Sequence, residues 1–415
     1  MAVTTNPATP VRIVVDVTRR CNLSCYYCHS ASGPTYRGPA IAGSRIGSIL
    51  DAAERLGVFE VTITGGEPLM WDGLADLAEA SKNLNFTSLQ LITNATLVTD
   101  RMLDLLSSTK FRRICVSIDG PEDLHDAVRG PGRFAKTMEG IARLRRVVDN
   151  LTAITVVDRR NYIRWPELTQ ILLGAGVKQH HLTPVCFAGH AMEQYDDRAL
   201  RDTDYETVVD ILERLSPTLP LGFITSFKDG LLRPIAERSF TLSGFTCEYF
   251  KGHHVVIQPT GKVQRAARAW GRTWRADESV GNINHDDLYD ILSNEPPTLV
   301  PLDFSEEMQR KYHIKDVTTV VVGHDLMDVE AVATGGKGDL SDPEEVDQTR
   351  IRPAALLNKV PLLRYDSLLT GVSRDPQRYR LRSGEDASLL FDTETFEIHI
   401  LSPIEAQTIS AEAVA

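Results

Sequence analysis

The amino-acid sequence predicts an α/β fold built around a parallel sheet, and three observations carry that prediction. Short β-rich runs alternate six times with helical patterns over the first half of the 415-residue chain. The helical patterns are amphipathic, with apolar residues at the i, i+3, i+4, i+7 spacing. The rhythm then changes after about residue 216, where hairpin and linker signals replace it. Strands that are each followed by a helix run parallel, joined by right-handed crossovers. A partial barrel and an open, doubly wound sheet both satisfy this pattern. In either one, ligands gather at the C-terminal ends of the strands.

Taken in order, the predicted strands are 12–18, 60–65, 89–93, 113–119, 152–157 and 180–185. After the first, SRIGSILDAAERLG places Ile46, Ile49, Leu50, Ala53 and Leu56 on one helical face, with Gly57 as the stop. RFAKTMEGIARL repeats the pattern with Phe134, Met138, Ile141 and Leu144. RWPELTQILLGAG carries Pro166 in its first turn, where a missing N–H costs nothing, and Gly176 near its end. Past residue 216, HHVVIQPTGKVQRAAR reads as two short strands around a Pro259-Thr260-Gly261 turn. TGGKGDLSDPEEVDQT, from Thr334, is acidic and glycine-rich and reads as a linker. Beyond it, Tyr379, Leu381, Leu389, Phe391, Phe396, Ile398 and Ile400 alternate with polar residues, which predicts a small antiparallel unit turning at DTET (392–395). The expected domains are 1–215, 216–298 and 299–415.

Composition narrows the function. With 42% hydrophobic and 24% charged residues, the chain has the make-up of a soluble globular protein. Its 45 basic and 56 acidic residues give a net charge of −11, which argues against nucleic-acid or anionic-membrane binding. MAVTTNPATPVR has neither a basic n-region nor an apolar h-region, so no signal peptide is expected. No window approaches the roughly 18 apolar residues of a membrane span. Six cysteines, clustered rather than spread, suit a reducing compartment and metal chemistry, with the cytoplasm as the expected location.

Half of those cysteines, Cys21, Cys25 and Cys28, lie in CNLSCYYC just after the first strand. Three thiolates at spacings of four and three do not complete a tetrahedral structural site, and His29 is too close to Cys28 to share one with it. On an iron–sulfur cubane, three thiolates leave one iron open to a small molecule. A cluster is therefore favoured over zinc, with inert buried thiols as the third reading. The second strand ends in TGGEP, Thr64 to Pro68, where two glycines permit close backbone approach and Glu67 with the carbonyls suits a cation.

The C-x3-C-x-φ-C pattern, with Tyr27 as the aromatic, resembles the radical S-adenosylmethionine (radical SAM) enzymes. Several positions deepen the likeness over about residues 12–215. The TGGEP segment (Gly65, Gly66, Glu67, Pro68) corresponds to the family's loop beside the methionine part of SAM, which receives its ammonium. ITNA stands where the family often shows TNG, so Asn94 faces the same mouth and Ala95 replaces a glycine. VSIDGPEDLHDAVRG resembles the peptide- and sulfatase-maturing branch, and by analogy Ser117 and Arg129 hold the SAM carboxylate and ribose. Asp119 and His125 are read as shaping the turn. The resemblance implies a partial (β/α)6 TIM barrel, followed by a small SPASM-like β-hairpin region and a C-terminal α+β extension. It also implies one [4Fe–4S] cluster and SAM as cofactors, a 5′-deoxyadenosyl radical that abstracts hydrogen, and an electron donor such as a flavodoxin or ferredoxin.

The pattern breaks in one place. Residues 247–293 follow the outline of a SPASM domain, yet no cysteine follows Cys247, and Cys115, Cys186 and Cys247 are too few and too scattered for an auxiliary cluster. Without that cluster a redox-neutral outcome, such as an epimerisation or rearrangement, is favoured. Cys186 and Cys247 become candidate hydrogen-atom donors, set against the plainer reading of small buried hydrophobes; Cys115 is set aside as mid-strand. The run YRLRSGEDASLLFDTETFEIHILSPIEAQ partly matches peptide-recognition strands, although the chain ends where their helices would begin, and an exposed edge could instead pair with a second subunit. The expected substrate is a peptide or peptide-derived molecule in natural-product maturation. A small metabolite such as a sugar or antibiotic precursor is the alternative, and an inactive binding scaffold is the third.

Overall fold

Each of the six strands expected over the first half leads into a helix, and the helices that join the apolar core cover one face of the sheet. The structure, a computed structural model, describes residues 2–4, 9–185, 189–215, 218–220, 223–225, 254–265, 279–294, 320–322, 371–383, 388–394, 398–401 and 403–413. The elements in order are β1 (Ala2–Thr4), β2 (Arg12–Asp16), α1 (Gly43–Leu56), β3 (Glu60–Thr64), α2 (Leu74–Ser81), β4 (Ser88–Thr93), α3 (Asp100–Ser108) and β5 (Phe111–Ser117). They continue with α4 (Glu122–Arg129), α5 (Arg133–Leu144), β6 (Leu151–Val157), α6 (Trp165–Gly174), β7 (Gln179–Pro184), α7 (Tyr195–Arg198) and α8 (Asp202–Leu215). After β8 (Ile224–Thr225) come β9 (His254–Ile257), β10 (Lys262–Arg265), β11 (Gly281–Asn282), α9 (Leu288–Asn294), β12 (Val320–Val322), β13 (Tyr379–Arg382), β14 (Ser388–Asp392), β15 (Ile398–Leu401) and α10 (Pro403–Glu412).

Strands β2 to β8 pair in sequence order and in parallel. The two faces of this sheet differ in chemistry, and that decides the architecture. Ile13, Val15, Val61, Ile63, Leu89, Leu91, Ile114 and Val116 point outward and join the helices in one apolar core. The alternate positions point inward and bond to one another. Arg12 Nε meets Glu60 Oε1 at 3.1 Å, Thr62 donates to Glu60 at 2.5 Å, and Gln90 Nε2 donates to Thr62 Oγ1 at 3.2 Å. Arg113 Nε completes the chain to Gln90 Oε1 at 2.5 Å. A doubly wound sheet would bury both faces under helices. Here one face is covered by helices and the other curls around a polar lumen, which is a partial barrel.

Helix α1 shows how the sequence dictates the outer layer. Ile46, Ile49, Leu50 and Leu56 are all buried against the sheet, and burial of four such side chains contributes roughly 6–12 kcal/mol of transfer free energy. Gly57, at φ 66°, ends the helix by adopting the left-handed conformation and turning its N–H back to Ala53 and Glu54. The expected hairpin is present as β9–β10, with Gly261 at φ 81° in its turn. Strand β9 lies parallel to β2, on the side away from β3, and so widens the sheet.

The C-terminal strands form a second sheet in the order β1-β13-β14-β15-β12. The β13–β14–β15 meander matches the alternation in the sequence and α10 follows it, as an α+β extension requires, while Phe396, the last residue of the DTET turn and the acidic segment from Thr334 lie outside the described residues. This sheet docks on the end of the barrel where the strands begin. Phe391 stacks on Phe59 (5.2 Å between centroids), which stacks on Phe86 (5.8 Å). The buried Arg382 guanidinium lies 4.5 Å over Phe59 and donates to the carbonyls of Thr9, Pro10 and Gly57 at 2.8, 3.1 and 2.6 Å. The C-terminal sheet therefore sits opposite the mouth where the cysteine loop lies. Among the described residues no helix is long and apolar enough to cross a membrane.

Candidate active site

The loop between β2 and α1 carries the three cysteines, and backbone pairing gives it a fixed shape. Val17 donates to Thr64 and Ile41 donates to Val17, both at 2.9 Å, so the loop's two ends lie side by side. Further in, Thr18 bridges Ala40 and Arg20 bridges Gly33. The TGGEP segment zips onto the loop's entry, with Gly66 N–H to Thr18 O at 2.5 Å and Glu67 N–H to Arg20 O at 2.9 Å. A β-carbon on Gly66 would fall 2.5 Å from Arg20 O, and one on Gly65 would fall 2.3 Å from Thr18 O. Both glycines are required for this contact, and Gly65, at φ 146°, could not hold its backbone otherwise.

Glu67 turns inward. It is fully buried, and its carboxylate accepts from Leu69 N–H at 3.0 Å, Thr93 Oγ1 at 2.6 Å and Asn94 N–H at 2.8 Å. Burial raises its pKa, while these three donors oppose the rise. Glu67 thus ties the TGGEP loop to the end of β4. Pro68 starts the short 3-10 turn that Glu67 caps.

Asn94 carries the connection on to the cysteines. Its Nδ2 donates to Asn22 Oδ1 at 2.9 Å and lies 4.0 Å from Cys21 Sγ. Asn22 in turn donates to Thr96 at 2.8 Å. Ala95, where the resemblance suggests glycine, sits at φ 57° in the left-handed region. Its buried methyl is accommodated by Gly140 of α5, whose own β-carbon would come within 2.9 Å of it.

A second link joins the loop to β5 and α4. Tyr27 donates its hydroxyl to Asp119 Oδ1 at 2.6 Å, and Arg129 donates Nε to Asp119 Oδ2 and Nη2 to the Tyr27 oxygen, each at 2.5 Å. Burial alone would raise the Asp119 carboxyl, but the Arg129 guanidinium holds it below the usual carboxylate range. Asp119 also receives structure from both sides. Its N–H donates to His125 Nδ1 at 3.2 Å, and its carbonyl accepts from Asn161 Nδ2 at 2.8 Å. The sequence identified Asp119 and His125 as turn residues. The structure adds that Asp119 is the hub holding Tyr27 and Arg129 together. Ser117 ends β5, half-buried, with no hydrogen bond to its side chain among the described residues.

Three contacts were not legible in the sequence. Tyr26 donates to Asp158, and the guanidinium groups of Arg160 and Arg198 lie 5.2 and 5.3 Å from its ring centroid. Gly189, at φ 56°, packs where a β-carbon would fall 2.3 Å from Cys28 O, and His190 N–H donates to the same carbonyl at 2.9 Å. Cys115, set aside as mid-strand, faces the lumen and lies 3.5 Å from Gln90 Oε1, buried one layer beneath Ser117. A tyrosine pair beside the cysteines and a glycine just past the last strand were the available signals. Cys186 and Cys247 fall outside the described residues.

The three thiols are free and suit a cluster. Backbone N–H groups of Leu23 and Ser32 point at Cys21 and Cys28 Sγ, each at 3.4 Å, which is how thiolate charge is stabilised in a fixed loop. Burial pushes the Cys21 thiol up to about 12 and the Cys25 thiol to about 11, so a bound cation is needed to draw off the protons. Among the described residues no three Cys, His, Asp or Glu side chains converge on one mononuclear metal position. A cubane takes each thiolate on a different iron and needs no such convergence, whereas zinc would need a tetrahedron.

The family model described as the Radical SAM superfamily matches residues 15–172. The chain is 27% identical over 203 residues to sporulation killing factor maturation protein SkfB of Bacillus subtilis, covering 49% of this chain and 48% of that one. It is 29% identical over 183 residues to pre-heme d1 synthase of Dinoroseobacter shibae, covering 44% and 45%. The chain thus spans about half the length of these curated relatives. The crystal structure of Streptococcus suis SuiB bound to precursor peptide SuiA superposes with a TM-score of 0.52 at 17% identity, covering 68% of this chain and 64% of that one, which shows the shared fold. Residues 15–172 are a radical SAM domain, in a chain whose relatives include peptide maturases.

Proposed function

We propose that this protein is a radical SAM enzyme that modifies a peptide or peptide-derived substrate. The observation that carries the reading is the cysteine loop, locked at the barrel mouth by Asn94 on one side and by the Tyr27–Asp119–Arg129 triad on the other. Cys21, Cys25 and Cys28 would hold a single [4Fe–4S] cluster. With SAM bound, that cluster supplies one-electron cleavage of the sulfonium to a 5′-deoxyadenosyl radical able to take hydrogen from an unactivated carbon. The protein's part is to position and to exclude water. Gly65 and Gly66 bring the backbone close to the ligand, and Glu67 fixes their loop. Ser117, with a hydroxyl open to the lumen, and Arg129, with Nη1 outside the triad bonds, are suited to the carboxylate and ribose of SAM.

The half-buried ends of the lumen row, Thr64, Ile92, Ser117, Ile154 and Val156, give the substrate a mixed apolar and hydroxylic seat. The absence of auxiliary-cluster cysteines in the sequence supports a redox-neutral outcome, with Cys186 or Cys247 as hydrogen-atom donor. A flavodoxin or ferredoxin would supply the electron, and the C-terminal extension is a candidate dimer contact. Peptide substrates are favoured by the likeness to SkfB and to the fold of peptide-bound SuiB. A small-molecule substrate is the second reading, favoured by the equal likeness to a heme-precursor enzyme. The test is to incubate reduced, reconstituted enzyme and SAM separately with synthetic precursor peptides encoded beside the gene and with small metabolites. A mass or stereochemical change in a peptide supports the first reading. Turnover of a small metabolite with every peptide unchanged supports the second.

A further inference from the structure

From Val17 to Leu50 the chain carries Arg19, Arg20, Arg37 and Arg45 and no aspartate or glutamate, although the sequence has 56 acidic residues and a net charge of −11. That stretch is the cysteine loop and the first half of α1. The carboxylates packed against the loop do not show at its surface, since Asp16, Glu67, Asp119 and Asp158 are all buried. Exposed acids mark the limits of this basic face. Asp76 stands against Gly43 where the loop enters α1, and Glu193 and Asp197 follow His190 in the chain.

Between those limits the outer side of the loop is exposed and rigid. Ala31, Pro34, Thr35, Arg37, Gly38 and Pro39 are all exposed and, Arg37 apart, small. Tyr36 N–H donates to Gly33 O at 3.3 Å, and Gly33 N–H donates to Arg19 O at 3.2 Å. The Tyr36 hydroxyl donates to Pro39 O at 3.1 Å, while Arg37 Nη1 donates to Pro34 O and Tyr36 O at 2.8 and 2.9 Å. Arg37 is therefore a cation already held in place before any partner arrives, which spares the association much of its ordering entropy. Arg20, bridged through its backbone to Gly33, is exposed on the same loop. Beside Cys25, the exposed Arg160 lies 5.2 Å over the Tyr26 ring and extends the positive charge.

The same face is a short way to the thiols. Each cysteine is one residue or one hydrogen bond from an exposed position. Arg20 precedes Cys21, Ser24 precedes Cys25, and Ala31 N–H donates to Cys28 O at 3.1 Å. A substrate must bring its reacting carbon into the lumen, whereas an electron can cross the loop from outside. A flat, fixed and basic surface suits a folded acidic partner, because opposite charge steers encounter and a rigid platform fixes orientation. We propose that the outer face of the cysteine loop, centred on Arg20 and Arg37, docks an acidic one-electron carrier protein. The proposal rests on the radical SAM reading for the electron's use. One electron leaves the carrier, a flavin hydroquinone becoming the semiquinone, and enters the oxidised cluster, with no bond formed or broken.

The probe is an acidic bacterial flavodoxin, and two quantities are read on reconstituted protein. The first is its dissociation constant by calorimetry, at low and at high salt. The second is the rate at which flavodoxin hydroquinone bleaches the cluster, with dithionite as the small reductant that needs no docking. Thr35 is exposed and makes no side-chain hydrogen bond among the described residues, so charge can be added there without loosening the loop. Thr35→Glu should weaken flavodoxin binding about threefold at low salt, Thr35→Lys should strengthen it, and Arg37→Glu should weaken it about tenfold. High salt should erase these differences, and bleaching by dithionite should be the same in both Thr35 variants. If Arg37→Glu loses its cluster, the Thr35 pair still decides. Equal flavodoxin binding by Thr35→Glu and Thr35→Lys, or binding indifferent to salt, overturns the proposal. So does a charge effect seen with acidic precursor peptides and not with flavodoxin, which would give the face to the substrate. If dithionite-reduced wild-type protein never cleaves SAM, the radical SAM reading fails, while flavodoxin binding still decides the face.

Discussion

Replacing Glu67 with alanine should unfold the domain more readily, and not merely loosen a ligand. The carboxylate accepts three hydrogen bonds in full burial, from Thr93, Asn94 and Leu69. Charge-assisted bonds of this kind contribute about 1.5–3 kcal/mol each. Two moderating effects apply. Burial of the carboxylate itself is costly, as its raised pKa shows, and the Thr93 hydroxyl can rotate to another acceptor. A net loss of about 3–4 kcal/mol therefore follows. Glu67→Gln should fall between, at about 2 kcal/mol, because one amide oxygen can still serve Leu69 and Thr93 while the NH2 meets the Asn94 N–H head on. The assay is urea denaturation of the metal-free, reduced protein, in which no SAM contact contributes. An Ala variant within about 0.5 kcal/mol of wild type, the usual range for an innocuous surface change, would refute the positioning role. Glu67 would then be better understood as a ligand contact.

Two further outcomes are expected. His180 is fully buried between the Thr155 and Thr169 hydroxyls, and burial lowers its pKa from 6.5 to about 3. The unfolded chain binds its proton first, so the stability from neutral His180 is complete above pH 6.5 and is lost as pH falls toward 3. Between pH 7 and 5 this amounts to about 2 kcal/mol, and urea melts of His180→Asn should lose that share of the wild-type acid sensitivity. Ala95→Gly should change stability by less than about 1 kcal/mol, because relief of the strain alanine bears at φ 57° is offset by glycine's larger unfolded-state entropy and by the loss of a buried methyl; a larger loss in urea melts would show that the alanine carries no strain.

Much of the barrel was legible because its outer face follows simple rules. The six strands and α1, α5 and α6 fall where periodicity and their glycine and proline signals place them. The site was legible where chemistry is written in unusual spacing, as in Cys21, Cys25, Cys28 and TGGEP. What escaped was long-range. Nothing local says that Glu67 will be met by donors from β4, or that Arg129 will find Asp119 and Tyr27. Arg382 reads as a surface arginine in an alternating strand, yet it is buried against carbonyls more than three hundred residues earlier in the chain. Strand β1 is three residues long and gains its identity from pairing with β13, a partner no window could contain. Cys115 lies mid-strand, and only the direction it faces, into the lumen beside Gln90, sets it apart from a packing residue.

The most direct test of the central claim is the yield of 5′-deoxyadenosine from anaerobically reconstituted, reduced protein given SAM. Wild-type protein should carry about four irons per chain, as a single cubane requires, and should release 5′-deoxyadenosine. The variant with Cys21, Cys25 and Cys28 all changed to Ala should bind no iron and release none. Cleavage that survives the triple change, or wild-type protein with its four irons that never cleaves SAM under any reductant, would contradict it.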